Sequence, residues 1–146
     1  MIATRRNARE WAVQMLTSLD LNQTTADLSE VMAAYWEQLG TLDGEDGAPD
    51  EKVRGKLKRF AEERVEGVWT KKAEIDEELV RHLADWDLYR LGTVERSVLR
   101  LGCWEIKYSD VPKPVVINEA IDLANWFSTP KSRTLVNAVL DKIEKP

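Results

Sequence analysis

The sequence predicts an all-α fold, a seven-helix bundle made of two packed helical lobes at residues 1–72 and 73–146. Apolar residues recur at three- and four-residue steps along most of the chain, which is the period of a helix, and the alternation typical of strands is almost absent. The chain has 146 residues, 43% of them hydrophobic, and is long enough to bury a core. Short polar or proline-containing turns separate the apolar stripes and set the number of helices.

Three amphipathic stripes define the predicted helices of the first lobe. They consist of Ala8, Trp11, Ala12, Met15, Leu16 and Leu19; of Leu28, Val31, Met32, Tyr35, Trp36 and Leu39; and of Val53, Leu57, Phe60, Ala61, Val65, Val68 and Trp69. Residues 40–49 contain three glycines among acidic residues, which predicts an exposed loop. The face of the third helix opposite its apolar stripe is basic and carries Lys52, Arg54, Lys56, Lys58 and Arg59.

Four further helices are predicted in the second lobe. The fourth contains Ile75, Leu79, Val80 and Leu83, and residues 85–92 form a connector with buried anchors. Thr93 is expected to be the N-cap of the fifth helix, which is apolar on most sides and should lie in the middle of a bundle. Pro114 is expected in the first turn of the sixth helix, and Thr129 and Pro130 should cap and begin the seventh.

The composition gives little support to an enzyme, a metal site or a cofactor site. The single Cys103 excludes an internal disulfide framework and a multi-cysteine zinc site, and it lies in the most apolar helix as a buried small hydrophobe. His82 is the only histidine and is expected at the surface or partly buried. The carboxylate pairs at residues 62–63 and 77–78 are expected on solvated helix faces. We therefore expect no catalytic residues, no metal ligands and no cofactor.

No apolar run approaches the roughly 18 residues that span a bilayer. Arg5, Arg6 and Arg9 have no apolar stretch behind them, so the N-terminus does not resemble a secretory signal. We expect no membrane association and a cytoplasmic protein.

The net charge of −5 hides a strong asymmetry along the chain. Residues 20–51 contain nine acidic residues and no Lys or Arg, whereas the segments before and after them are net positive. Electrostatic recognition depends on the field within a Debye length of about 8–10 Å, so a local basic patch can bind an anion on an acidic protein. The overall charge therefore does not exclude nucleic acid.

Two predicted helices begin with basic residues, against the preference of the helix dipole. Arg5, Arg6 and Arg9 are three or four residues apart and should project from nearly one face of the first helix. Lys131 and Arg133 occupy the first turn of the last helix. Each such base costs about 0.3–1 kcal/mol where it is exposed. Retention for an anionic partner explains them, and a merely solvated helix end is the alternative. If the two helix starts lie together, five cations converge.

The six tryptophans could stack on nucleic-acid bases, but most fall on or beside the apolar stripes. Core packing is the better explanation for them.

Three blocks of the sequence resemble the NusB family of bacterial transcription antitermination factors. The first is Arg5-Arg6-Asn-Ala-Arg9-Glu-Trp-Ala-Val-Gln-Met-Leu, and the second is Val94-Glu95-Arg96-Ser-Val-Leu99-Arg100-Leu-Gly-Cys-Trp-Glu105. The third begins at Val111-Pro112, continues with Ile117-Asn118-Glu119-Ala120-Ile121 and ends in Leu135-Val136-Asn137-Ala138-Val139-Leu140-Asp141-Lys142. The resemblance covers nearly the whole chain in register, although residues 20–72 match only in helical pattern.

The resemblance implies the two-lobed all-helical NusB fold and an RNA-binding role in antitermination. The implied partners are the single-stranded boxA element of nascent ribosomal RNA leaders, the ribosomal protein NusE, and the transcribing RNA polymerase complex with other Nus factors. The implied RNA-binding residues are Arg5, Arg6, Arg9, Lys131 and Arg133. For an RNA-binding adaptor we also expect Lys113 and Phe127 to contact RNA, with Phe127 either a stacking ring or part of the core.

On the side of NusE, the resemblance implies Glu95 and Thr17 as partner-binding residues, and Thr17 stands where the family commonly has Tyr. Leu135 and Ala138 replace a usual Phe and Gly. Whether the chain is a monomer or a homodimer is left open.

A rival hypothesis is a helical protein–protein interaction module that does not bind RNA, and the low isoelectric point and the acidic block favour it. An enzyme is a third and weaker hypothesis. NusB-like domains also occur fused to RNA methyltransferases, but this chain ends at Pro146 without a cofactor-binding region.

Overall fold

The structure is a computed structural model that describes residues 4–22, 27–42, 51–84, 87–127 and 130–146. Within these ranges the chain forms seven α-helices, one 3-10 turn and no strand, which confirms the predicted all-α class. The helices are α1 (Arg5–Leu21), α2 (Leu28–Leu42), α3 (Glu51–Thr70), α4 (Lys72–His82), α5 (Thr93–Tyr108), α6 (Lys113–Phe127) and α7 (Pro130–Asp141), and the 3-10 turn is Leu88–Arg90. Among the described residues, no helix combines the length and apolar character that a membrane crossing requires.

The chain divides into two compact units, Met1–Glu66 and Gly67–Pro146. The division falls inside α3, whereas the sequence predicts the boundary of the lobes after residue 72. The first unit contains α1, α2 and most of α3. The second contains the end of α3, the 3-10 turn and helices α4 to α7.

In the first unit α1 packs against α2 through the apolar stripes that the sequence predicts. Ala8, Ala12, Met15, Leu16 and Leu19 are all buried on one side of α1. The rings of Trp11 and Trp36 meet edge to face with centroids 5.6 Å apart, a favoured aromatic geometry. This packing fixes the direction of α1 relative to α2 within the unit.

In the second unit α5 is the central helix, as its apolar composition predicts. All eleven residues from Arg96 to Ile106 are buried, and α5 packs against α4, α6 and α7. Gly102 allows the closest approach, because a Cβ atom there would lie 2.7 Å from Cδ1 of Leu140 on α7. Helix α5 is therefore the core element on which the other helices of this unit are assembled.

Two predicted helix boundaries are wrong. Gly92 rather than Thr93 is the N-cap of α5, and it accepts the backbone N–H of Arg96. The predicted loop at residues 40–49 begins too early, because α2 continues through Leu42; residues 43–50 lie outside the described residues. The first-turn position of Pro114 in α6 and the start of α7 at Pro130 are confirmed, whereas Thr129 lies outside the described residues.

The expectation that the carboxylate pair at residues 77–78 is solvated is wrong for Glu78, which is 9% exposed. Its Oε2 lies 2.6 Å from Nη1 of Arg81 and 3.6 Å from Nζ of Lys107. Its Oε1 lies 3.2 Å from Nε2 of His82. The spacing of residues within α4 does not predict the burial of Glu78, because its partner Lys107 belongs to α5.

Candidate nucleic-acid interface

A capping box fixes the first turn of α1. The Oγ1 of Thr4 accepts the backbone N–H of Asn7, and Oδ1 of Asn7 accepts the backbone N–H of Thr4 at 2.9 Å. The first turn holds no acidic residue. These bonds pair backbone N–H groups that have no acceptor within the helix and that an acidic side chain would otherwise accept. Such a cap typically stabilises a helix start by about 1 kcal/mol. The cap therefore lets the helix begin with two arginines.

The three arginines of α1 differ in exposure. Arg5 and Arg6 are exposed, and Arg9 is 4% exposed. Arg5 and Arg9 share a face, as their spacing predicts, because both lie against the same residue of α3. Arg5 and Arg6 can reach a ligand in solvent, whereas Arg9 is positioned chiefly against the protein.

That residue of α3 is Phe60, whose ring is surrounded by guanidinium groups. The Cζ atoms of Arg5, Arg9 and Arg64 lie 5.6, 5.1 and 3.4 Å from its centroid. Arg64 also donates from Nη1 to the carbonyl oxygen of Phe60 at 3.4 Å. Guanidinium groups are attracted to the negative face of an aromatic ring. Phe60 therefore holds the arginine surface of α1 against α3.

The sequence predicts Phe60 in the apolar stripe of the third helix and indicates no role for Arg64. Phe60 is half-buried, and Arg64 is buried beside it. One signal in the sequence could have identified this cluster. An arginine follows an aromatic residue by four positions, on a helix that is able to face an arginine-rich helix.

In the second unit the start of α7 presents the two predicted cations. Lys131 and Arg133 are exposed, and Ser132 between them is buried. The Oγ of Ser132 donates to Oε1 of Glu95 at 2.8 Å. The half-buried Glu95, predicted to face a partner, thus ties the start of α7 to α5. The convergence of these two cations with the arginines of α1 stays a prediction, because α1 and α7 belong to different units.

Three other predicted site residues have varied surroundings. Lys113 is half-buried and donates from Nζ to the carbonyl oxygen of Asp141 at the end of α7. Thr17 is half-buried and donates from Oγ1 to the carbonyl oxygen of Val13 at 2.8 Å. The side chain of Phe127 lies outside the described residues. The proposed roles of these residues in binding stay predictions.

Cys103 and His82, each the single residue of its type in the sequence, have different surroundings. Burial raises the pKa of the Cys103 thiol to about 12, and the side chain has no exposed surface, as predicted. His82 is half-buried beside Glu78. Among the described residues, no group of three or more His, Cys, Asp or Glu side chains is placed to hold a metal ion.

Core packing is confirmed for one tryptophan and is partial for three. Trp104 is buried, and Trp11, Trp36 and Trp69 are half-buried. The side chains of Trp86 and Trp126 lie outside the described residues.

The chain is similar to known proteins along almost all of its length. The sequence model of the NusB family matches residues 6–145. The transcription antitermination protein NusB of Sulfurimonas denitrificans is 36% identical over 144 residues, which cover 99% of this chain and 98% of the relative.

Solved structures agree with the sequence comparison. T. maritima NusB matches with a TM-score of 0.81 and 29% identity, covering 100% of this chain and 96% of that chain. A chain from a crystal structure of antitermination factors NusB and NusE in complex with dsRNA matches with a TM-score of 0.75 and 27% identity, covering 98% and 97% of the two chains.

Proposed function

The chain belongs to the NusB family, and on this premise we propose that it is an RNA-binding transcription antitermination factor. It binds the single-stranded boxA element of nascent ribosomal RNA leaders together with the ribosomal protein NusE. With other Nus factors it helps the transcribing RNA polymerase complex to avoid premature termination. It acts in the bacterial cytoplasm, where nascent RNA is made, and it catalyses no reaction.

The exposed start of α1 carries this proposal. Arg5 and Arg6 are exposed in a first helical turn that the Thr4–Asn7 capping box holds in place. Guanidinium groups match the geometry of phosphate oxygens and bind them in a bidentate manner. Arg9 contributes by fixing this surface on Phe60. Lys131 and Arg133 provide two more phosphate ligands at the start of α7.

The relative solved with NusE and dsRNA supports a shared complex of protein and RNA. We assign Glu95 and Thr17 to the side that meets NusE. Because Glu95 accepts a hydrogen bond from Ser132, a partner that contacts Glu95 contacts the residue to which the first turn of α7 is bonded. This contact gives NusE a route by which it could stabilise the RNA-binding start of α7.

The salt dependence of RNA binding tests the proposal. We would titrate a uracil-containing boxA strand into the complex with NusE at several salt concentrations, using the wild type and the Arg5→Ala/Arg6→Ala variant. Each lost phosphate contact lowers the magnitude of the negative slope of log K against log salt by about 0.7 for a single strand, so the magnitude should fall by about 1.4 in the variant. The Arg90→Ala/Lys142→Ala variant, which removes two exposed cations of the second unit, should keep the wild-type slope.

The second candidate is a helical interaction module without an RNA role. The nine acidic residues between positions 20 and 51 and the net charge of −5 favour it. The same titration, repeated with a matched duplex and with NusE but no RNA, separates the two functions. Binding of NusE without detectable binding of either RNA would establish the interaction module and refute the proposed factor.

A further inference from the structure

We propose that the first half of α3, through Lys56 and Arg59, continues the arginine surface of α1 and binds phosphates of the same RNA strand. The bound RNA then follows two helices of the first unit instead of touching only the start of α1. This inference rests on the proposed function and adds to it the basic face of α3.

Phe60 connects the two basic surfaces. The guanidinium of Arg5 lies 5.6 Å from the centre of the Phe60 ring, so this end of α1 reaches α3 inside the first unit. Lys56 precedes Phe60 by four residues, which is about one helical turn and a rise of about 6 Å on the same side of α3. Lys56 therefore lies one turn along α3 from the ring against which the Arg5 guanidinium lies.

The exposure of the basic residues of α3 selects two of them. Lys56 and Arg59 are exposed. Lys58 is half-buried and lies over the ring of Trp36 on α2, with its Nζ 5.4 Å from the centroid. Arg54 is also half-buried. Among the basic side chains of α3 that the structure describes, Lys56 and Arg59 are thus the solvent-facing ones. Lys56, four residues before Phe60, lies on the side of that ring and not on the face opposite the apolar stripe that the sequence predicts.

Glycine at position 55 keeps this side of α3 open. A Cβ atom at Gly55 would lie 3.8 Å from Nη1 of Arg59, so the guanidinium lies along the helix over this glycine. Lys56 directly follows Gly55 in the chain. Because Gly55 has no side chain, the helix surface beside Lys56 stays free for the Arg59 guanidinium.

Local helix stability does not explain the charge at Lys56, whereas Arg59 has Glu62 and Glu63 three and four positions after it. Lys56 has no acidic residue three or four positions away in either direction, and two of its four such neighbours, Lys52 and Arg59, are basic. Like charges at this spacing destabilise a helix, whereas a merely solvated face gains from opposite charges. The basic character ends at Glu63, which is exposed on the same side, so the strand is directed from Phe60 toward the start of α3.

A site-specific crosslink tests the path directly. Cys103 is the only cysteine and is fully buried, so a thiol introduced at the surface can be labelled selectively. We would attach a thiol-reactive photo-crosslinker to the Lys56→Cys variant and to a matched Lys142→Cys variant. Each would be irradiated in complex with NusE and a boxA single strand. RNA should crosslink to position 56 and only at background level to position 142.

The salt dependence provides a second measurement on the same complex. The Lys56→Ala/Arg59→Ala variant should lower the magnitude of the negative slope of log K against log salt by about 1.4, while Arg90→Ala/Lys142→Ala leaves it unchanged. Circular dichroism of each variant would verify that the helices are retained. A boxA strand that lacks the nucleotides proposed to lie on α3 should bind the wild type and Lys56→Ala/Arg59→Ala equally, because it cannot reach either side chain.

The outcomes separate this inference from the function on which it rests. An unchanged slope and no crosslink at position 56, with a slope whose magnitude still falls in Arg5→Ala/Arg6→Ala, would overturn the α3 path and leave the RNA-binding function intact. A wild-type complex that binds no boxA strand would overturn both. A crosslink at position 56 together with a slope of lowered magnitude supports the path.

Discussion

Arg100 of α5 and Asp76 of α4 form a bidentate ion pair, with Nε–Oδ1 and Nη2–Oδ2 distances of 2.8 and 2.9 Å. Arg100 is 1% exposed. The hydroxyl of Tyr89 donates to Oδ2 of Asp76 at 3.3 Å, and the Tyr89 ring centroid lies 5.9 Å from the guanidinium. This pair fixes α4 and the 3-10 turn against the central helix of the second unit.

Removal of one partner should strongly destabilise the fold. Asp76→Ala leaves the Arg100 guanidinium charged and buried without its carboxylate, which typically costs about 3–5 kcal/mol. We expect the free energy of unfolding, measured by urea titration, to fall by this amount. Asp110→Ala, which removes an exposed carboxylate, should stay within about 0.5 kcal/mol of the wild type. A loss below 1 kcal/mol for Asp76→Ala would contradict the structural role of the pair.

Glu78 gives the second unit a pH-dependent contribution to stability. Burial raises its pKa, but the hydrogen bond with His82 and the positive charge of Lys107 outweigh burial. The charge of Arg81 acts in the same direction, and the pKa of Glu78 ends below its usual value. Because the folded state favours the carboxylate, the contribution is present above the unfolded pKa of about 4.3 and is lost as pH falls through the lower folded value.

The variant Glu78→Gln should therefore differ most from the wild type at neutral pH. Its free energy of unfolding should be lower than that of the wild type at pH 7, and the difference should shrink as pH falls from about 5 to 3. Urea titrations at intervals across this range measure the difference directly. Glu144→Gln, at an exposed position, is the matched control. A difference that is constant with pH would show that ionisation of Glu78 does not stabilise the fold.

Two glycines of α3 should respond in opposite directions to alanine. A Cβ atom at Gly67 would lie 2.2 Å from Nε1 of Trp104, whereas at Gly55 the nearest atom is the flexible Nη1 of Arg59 at 3.8 Å. Gly67→Ala should destabilise the fold by about 1–3 kcal/mol, because the indole must move within a packed core. Gly55→Ala should stabilise it by about 0.5–1 kcal/mol through helix propensity. Thermal unfolding of both variants tests the contrast, and a stabilising Gly67→Ala would refute the close packing.

The sequence predicts the helices well because their signal is local. The stripe of α1 and the prolines in the first turns of α6 and α7 depend on neighbours within one or two turns, and these elements are confirmed. The burial of Glu78 was not predictable in the same way, since one of its partners is Lys107 on another helix. Its spacing within α4 gives no information about that contact.

The candidate site is predictable from the sequence in its residue types but not in its arrangement. The spacing of Arg5 and Arg9 correctly places them on one face. It does not reveal that Phe60, 51 residues beyond Arg9 in sequence, receives both side chains and buries one of them. An aromatic residue on an apolar stripe satisfies the helical pattern whether it fills a core or supports cations.

Phe60 should influence RNA binding without contacting RNA. Phe60→Leu keeps an apolar side chain but removes the ring on which Arg5, Arg9 and Arg64 lie. A cation–π contact contributes about 0.5–1 kcal/mol at an exposed site. If this energy orders Arg5 for its phosphate, the Kd for the boxA strand should rise about 2- to 5-fold. Fluorescence anisotropy of the complex with NusE at fixed salt measures the change.

The variant Phe60→Tyr is the matched control, because it retains the aromatic face. It should bind the boxA strand with nearly wild-type affinity. Urea titration of both variants separates a loss of folding from a loss of positioning. Equal weakening in Phe60→Leu and Phe60→Tyr at unchanged stability would mean that the ring face does not position the arginines. Weakening in Phe60→Leu alone would assign to Phe60 the role of orienting Arg5 toward the phosphate.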